Sequence, residues 1–577
     1  MTDASLPPPL TSSETRLGGA GLRWSWRERG NGWAIVAVGL AFLFALPILT
    51  ILGSFLFPAW DVWAHLLSTV MPSYIRNTVL LMLGVGLGVA VIGVGTAWLV
   101  TLCQFPGARV FEVLLLLPLA FPAYVVAYAY TGFLDSAGPA QSLLRDMTGW
   151  SLGSYWFPPP RSLGGAICVM VLVLYPYVYL LARAAFLEQS VCVLEAGRAL
   201  GQTPFGCFRR LAIPLARPAI AGGVALALME TLNDFGTVQY FAVDTLTAGI
   251  YRTWLGMNEP AAATQLAGVL LLFVVGLMAL ERHGRAGSTR HTSLRYRHLP
   301  RFPLTGAKAA LAMIACLLPC LLGFGVPLLM LLSWAIETAP TMVNSAFWRA
   351  AEHSLLLAAS AAGVAVTLAL TLAYAARLHP TPLVRWAMRS ASLGYAVPGL
   401  VIAVGVIIPL AAFDTVLDGA SRSAFGVSTG LLLSGTLVAL LFAYVVRFLA
   451  IALNATEAAL GKVTPQMDYA ARSLGRTAGQ TLWSIHLPII RPSVLAACLL
   501  VFVDVMKELP ATLILRPFNF DTLAVLVYAM AGDERLADAA PASLAIVLVG
   551  LLPVMLLARA LARSRPGSLP GVSAREP

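Results

Sequence analysis

The stretch Glu195-Ala-Gly-Arg-Ala-Leu-Gly201, continued by Leu211-Ala-Ile-Pro214 and Arg217-Pro218, returns later in the chain as Tyr469-Ala-Ala-Arg-Ser-Leu-Gly475, Ile485-His-Leu-Pro488 and Arg491-Pro492. From Gly201 to Gly475 is 274 positions, and every matched residue keeps that step. Upstream, Pro122-Ala-Tyr-Val-Val-Ala127 pairs with Pro398-Gly-Leu-Val-Ile-Ala403, and downstream Asp244-Thr-Leu246 pairs with Asp521-Thr-Leu523, at nearly the same step. The chain is therefore two copies of one unit, and a repeat of this length governs any reading of the fold.

The surroundings of the repeat are apolar. Of 577 residues, 59% are hydrophobic and 11% charged, against roughly 25% charged in a soluble protein, and mean hydropathy is +0.81. A soluble domain is excluded, because no aqueous core is large enough to bury so much apolar surface. About twelve runs reach the roughly 20 residues that cross a bilayer as helix: 33–57, 77–100, 111–134, 163–182, 216–236, 262–280, 310–334, 354–376, 387–412, 429–451, 490–512 and 541–558. They are continuously apolar rather than alternating, which selects helices over a barrel.

The expected fold is an all-α polytopic membrane protein of two six-helix halves. Six spans are an even number, so both halves enter the membrane the same way and are related by an axis along its normal. The expected divisions are a tail 1–32, a first half 33–280, a basic linker 281–309, a second half 310–558 and a tail 559–577. Most of the 38 Lys and Arg fall on the side holding both tails and the linker, which predicts that side to be cytoplasmic. The net charge of +11 is then the sum of a basic inside and an acidic outside, and implies no nucleic acid. The first apolar run is too long for a signal-peptide core and reads as an uncleaved span. The seven Cys (103, 168, 192, 207, 316, 320, 498) lie in spans or on the inner side and imply no disulfide framework. Cys316 and Cys320 read as packing residues.

The repeated block lies on the cytoplasmic side, between the fourth and fifth spans of each half. Gly201 and Gly475 are placed to end a short helix in the left-handed conformation, and Thr203 and Thr477 to cap a second. Two short helices forming an L are expected, the second ending before Pro214 or Pro488. Within the fifth spans, Glu230 and Asp234 recur as Asp504 and Glu508. Four-residue spacing puts each pair on one helix face, and ionisable groups at membrane depth mark a pathway by default. Four carboxylates suit a hard cation. The alternative for these acids is that they cap helix ends or pair with Lys507 and Arg516 at the outer interface. Tyr124, Tyr128, Tyr130, Tyr175, Tyr177 and Tyr179 are read as interface and packing residues rather than phenolate ligands, and His283, His291 and His298 as part of a solvated linker.

The repeated block resembles the EAA loop of ABC-importer permeases. On that resemblance Glu195, Ala196, Gly197, Gly201 and Pro214 in one copy, and Asp468, Tyr469, Ala470, Ala471, Gly475 and Pro488 in the other, couple the permease to ATPase subunits. The second copy departs from the pattern, with Tyr469 where Glu stands in the first. No G-x-x-x-x-G-K-[ST] phosphate loop occurs in the chain, so ATP and Mg belong to a partner and the chain is a transport subunit rather than an enzyme. Phe121-Pro-Ala-Tyr-Val-Val-Ala-Tyr-Ala-Tyr-Thr-Gly132, Asn233-Asp-Phe-Gly-Thr-Val-Gln-Tyr-Phe241, Gly249-Ile-Tyr-Arg-Thr-Trp254, Asp504-Val-Met-Lys-Glu-Leu-Pro-Ala-Thr512 and Arg516-Pro-Phe-Asn-Phe-Asp521 narrow the likeness, from about residue 33 to 560, to the fused ferric-iron permeases. The resemblance implies a type I importer fold in a bacterial inner membrane, two copies of an ATP-binding subunit, a periplasmic ferric-binding protein and alternating access. Related permeases carry polyamines, thiamine, phosphonates or sulfate. An ion-coupled secondary transporter is the rival from another class; an intramembrane enzyme has no HExxH or nucleophile-elbow motif to support it.

Overall fold

The computed structural model describes residues 31–188, 197, 199–285 and 301–563. Among these, eleven helices are long and apolar enough to cross a membrane, and a bent pair supplies a twelfth. In the first half the spans are Trp33–Ser54, Met71–Leu102, the pair Ala108–Ala120 and Ala123–Thr148, Leu163–Leu187, Phe205–Asn233 and Pro260–His283. In the second they are Ala307–Met342, Ser345–Leu378, Gly399–Phe425, Leu437–Leu460, Ala478–Met506 and Ala540–Arg559. Span parity puts the repeated loops at one end of the bundle, expected from the resemblance to be the coupling end, and the residues after the third and fifth spans of each half at the distal end.

The third span departs from the continuous helix expected over 111–134. It bends by 92° at Phe121-Pro122, where Phe121 is extended (φ −87°, ψ 132°). A residue before proline avoids the helical region, and the proline has no N–H to continue the ladder. The second half breaks identically. Val397 (φ −87°, ψ 128°) precedes Pro398, so the ninth span starts at Gly399 and runs to Phe425, not over 387–412. The preceding residues form a separate amphipathic helix, Pro382–Ala391. Both breaks leave a helix N-terminus buried within the bundle.

Spans 2 and 4 pack along their length, as do spans 8 and 10. In the first pair glycines allow the approach: a Cβ at Gly93 would stand 2.7 Å from Val178 Cβ and 2.9 Å from Tyr175 O. The halves interlock. The first span packs on the helices Pro382–Ala391 and Gly399–Phe425 of the second half, while the seventh lies against spans 2, 3 and 4 of the first. Each half therefore lends its opening span to the other, an exchange that hydropathy along the chain does not reveal. At the coupling end, Cys103–Gln104 pairs in parallel with Phe302–Pro303 of the linker, and Leu304 N donates to Gln104 O at 2.9 Å. The sixth span continues as helix to Arg285, past the expected boundary at 280.

The Asp-Thr-Leu repeat has a structural role. Thr245 and Thr522 cap the helices Leu246–Tyr251 and Leu523–Gly532. The following backbone N–H groups of Leu246 and Leu523 donate to Thr78 Oγ1 (3.1 Å) and Ser354 Oγ (2.8 Å) on spans 2 and 8. Each half docks its distal loop on its own second span in the same way.

Candidate functional site

Two regions gather the polar residues singled out in the sequence. The first is a cavity of about 140 Å³ lined by Glu230, Asp234, Asp504 and Glu508, together with Tyr124, Tyr177, Tyr395, Arg447 and Lys507. Its walls are built from repeat-related positions: Glu230 matches Asp504, Asn233 matches Lys507, Asp234 matches Glu508 and Val173 matches Arg447. The cavity thus straddles the pseudo-twofold axis, where spans of two parallel halves meet and a transport path is expected. Both intramembrane helix breaks adjoin it, the first through Phe121, Pro122 and Ala123, the second through Gly399, whose N–H donates to Asn233 Oδ1 at 2.8 Å.

The four acids are not two equivalent pairs on helix faces. Helix five ends at Asn233 and helix eleven at Met506, so Asp234 and Glu508 stand beyond the helix ends, where the backbone turns. There they serve the next short helices. Asp234 Oδ1 accepts from Thr237 N (2.7 Å) and Oδ2 from Thr237 Oγ1 (3.0 Å). Glu508 accepts from Ala511 N (3.0 Å), Thr512 N (3.2 Å) and Thr512 Oγ1 (2.9 Å), and pairs with Arg447 Nη1 at 2.9 Å. A carboxylate with its lone pairs occupied in this way caps and neutralises; it has little left to offer a solute. Glu230 and Asp504 are different. Glu230 takes a 3.3 Å bond from the Tyr395 hydroxyl, and Asp504 has Lys507 Nζ at 3.6 Å. Of the four acids expected to line a pathway, these two, one from each half, are the ones without a capping role. Of the outer pairing alternative, Lys507 does approach Asp504, whereas Arg516 pairs with Asp521.

Among the described residues, no group of three or more His, Cys, Asp or Glu is arranged to hold a metal ion. A solute entering this cavity would meet Glu230, Asp504, the Lys507 ammonium and the surrounding phenols. Of the six tyrosines weighed in the sequence, Tyr124 and Tyr177 line the cavity; Tyr130 donates to Leu322 O (2.6 Å) and Tyr179 to Glu112 O (3.2 Å). Sequence reasoning missed Tyr395 and Arg447. The repeat step aligns them with Leu119 and Val173, so duplication carries no signal for either, and Arg447 is a single charge within an apolar run.

The second region is the coupling end. Glu195 and Ala196 lie outside the described residues. Gly197 is buried, and a Cβ there would press on Cys207 Sγ at 3.3 Å. Gly201 and Gly475 have φ of +74° and +76°, the left-handed turn expected of them. Thr477 forms a capping box with Gln480. The second short helix does not stop before the proline, however. Each runs through a wide turn, Phe208–Ala212 or Leu482–His486, directly into the transmembrane helix, so Pro214 and Pro488 lie within the first turns that follow. The i→i+5 pattern before each proline accommodates a residue that cannot donate.

Asp468 points inward. Its Oδ2 takes bonds from Arg377 Nη2 (2.7 Å) and Nε (3.1 Å), and its Oδ1 lies 2.9 Å from His486 Nε2. It fastens the loop to spans 8 and 11. Ala471 is buried beneath the loop, whereas Tyr469 and Ala470 belong to its outer part, with Tyr469 exposed. The outward surface also carries Leu200 and Leu474, repeat-related and each 81% exposed. Two apolar knobs at matched positions beyond the membrane are a signal the sequence held but polar motifs overshadowed.

Residues 90–282 match the model of the family described as "binding-protein-dependent transport system inner membrane component". The chain is similar to the Fe(3+)-transport system permease protein FbpB 2 of Haemophilus influenzae, with 28% identity across 84% of this chain and 90% of that protein. It is 22% identical to the ferric transport system permease protein FbpB of Actinobacillus pleuropneumoniae, across 81% of this chain and 66% of that one. A shorter match is the sulfate transport system permease protein CysT of a Synechocystis strain, 26% identical across 43% of this chain and 85% of that one.

Proposed function

Because this chain is an inner-membrane permease of a binding-protein-dependent ABC importer, we propose that it carries ferric iron through the axial cavity, past Glu230 and Asp504. The observation that carries this reading is the pair of carboxylates, one from each half, left without a full set of partners where the halves meet. With Glu508 neutralised by Arg447, the cavity still sets Glu230, Asp234 and Asp504 against Lys507, so a cation is favoured over sulfate. Two carboxylates with phenols nearby suit a hard cation in transit, since a site that must release its ion binds it weakly. The ferric relatives extend over most of the chain and the sulfate relative over less than half.

The energy comes from ATP and Mg on two copies of a cytoplasmic ATP-binding subunit, seated on the two loops around Gly201 and Gly475. A periplasmic protein delivers the ion at the distal end. The side carrying the linker and both tails is cytoplasmic, in line with its excess of Lys and Arg. Uptake into proteoliposomes holding the chain, its ATPase and its binding protein tests the substrate. Labelled Fe³⁺ should accumulate in an ATP-dependent way and resist competition by excess sulfate. Accumulation of labelled sulfate with no Fe³⁺ uptake would overturn the assignment.

A further inference from the structure

The two bases in the cavity differ in how firmly they are held. Arg447 is committed: its guanidinium pairs with Glu508 at 2.9 Å, both side chains are nearly inaccessible, and it stacks 5.1 Å from the Phe448 ring. Lys507 sits at the end of helix eleven, between the capping Glu508 and the axial Asp504. Its ammonium is 3.6 Å from Asp504 Oδ1, within ion-pair range but too long for a well-formed hydrogen bond. The lysine side chain keeps 23% of its exposure and the aspartate 34%, so water and a solute reach both. The repeat places Asn233 opposite, and Asn233 is engaged with Gly399 N of the other half. One loosely held positive charge therefore stands beside one of the two axial carboxylates.

We propose that Lys507 is a tethered counter-ion for the cargo. In the empty cavity its ammonium neutralises Asp504, which would be costly to leave charged and unpaired at membrane depth. An arriving cation displaces it, and its return drives the cation off toward the coupling end. The inference rests on the reading of the cavity as a cation passage. It predicts a specific trade: a positive charge this near a bound cation weakens binding by about tenfold or more, and removing it strengthens retention while slowing release.

The test uses the complete complex of permease, ATPase and binding protein in nanodiscs and proteoliposomes, with labelled Fe³⁺ as probe. Lys507→Met, which keeps length and removes charge, should retain about tenfold more Fe³⁺ in the vanadate-arrested complex and turn over about tenfold more slowly. Lys507→Arg should resemble the parent in both, which separates a charge effect from misfolding, and copurification with the ATPase reports assembly. Unchanged retention and turnover in Lys507→Met would overturn the proposal. Reduced retention would overturn it too, because Lys507 would then be holding the cargo. If Glu230→Gln/Asp504→Asn transports normally, the cation-passage reading itself fails; if that variant is inactive and Lys507→Met behaves like the parent, only the counter-ion role falls.

Discussion

Glu508 is 1% exposed at the side chain and Arg447 9%, and each depends on the other. Replacing Arg447 by Met leaves a carboxylate buried without its cation, which costs about 3–5 kcal/mol. Thermal unfolding of the purified complex should show Arg447→Met strongly destabilised and Arg447→Met/Glu508→Gln recovering much of the loss; an unaltered melting temperature in the single variant would remove the structural role. Gly399 belongs to the same arrangement, since a Cβ there would collide with the Arg447 guanidinium and the Glu508 carboxylate. At this scale the sequence disclosed that acids lie deep in the fifth and eleventh spans, because charge in an apolar run is conspicuous. It did not disclose which of them cap. That depends on where each helix stops, and Asp234 and Glu508 fall just past helix ends that hydropathy carries several residues too far.

The repeated loops were legible as elements, down to the left-handed glycines and the threonine caps, because turn chemistry is local. Their union with the transmembrane helices was not, because proline read alone suggests a stop where a wide turn lets the helix continue. A Cβ at Gly201 or Gly475 meets nothing within 4 Å, but valine at either position is forced to positive φ, at about 1–2 kcal/mol per position. The double variant should still hydrolyse ATP with its partner while uptake per ATP falls; a normal ratio of uptake to hydrolysis would contradict the coupling role. At the distal end another element joins the halves. Arg161 holds Glu534 with Nη1 and Nη2 at 2.8 Å each and stacks on Tyr240 at 4.7 Å. The hydrogen bond from Arg161 keeps the Glu534 carboxyl below its ordinary range. A group with a lowered folded value contributes its bond above the ordinary carboxylate value of 4.5 and loses it as pH falls through the folded value. Spin labels flanking the pair, at Ser162→Cys and Asp533→Cys in a background without other reactive cysteines, should therefore hold a short distance at pH 7. They should separate well below pH 4.5, and in Glu534→Gln at either pH. A distance indifferent to both changes would remove the latch.

At the scale of the molecule, duplication was the most informative property of the chain. It foretold two parallel halves, an axis between them and matched loops, all from a step of 274 residues. Interlocking of the opening spans was beyond it, because a lipid-facing helix and a helix borrowed by the other half have the same hydropathy. The site follows the same division. Its location on the axis follows from the repeat, while its working character comes from where the halves differ: Tyr395 against Leu119, Arg447 against Val173, Lys507 against Asn233. A symmetric frame thus holds an asymmetric cavity with two uncapped carboxylates, which on the proposed function meet a passing ion. The decisive measurement is ATP-driven uptake of labelled Fe³⁺ by the reconstituted complex carrying Glu230→Gln and Asp504→Asn: uptake should be abolished while assembly with the ATPase persists, and uptake at the parent rate would rule out passage between these two carboxylates.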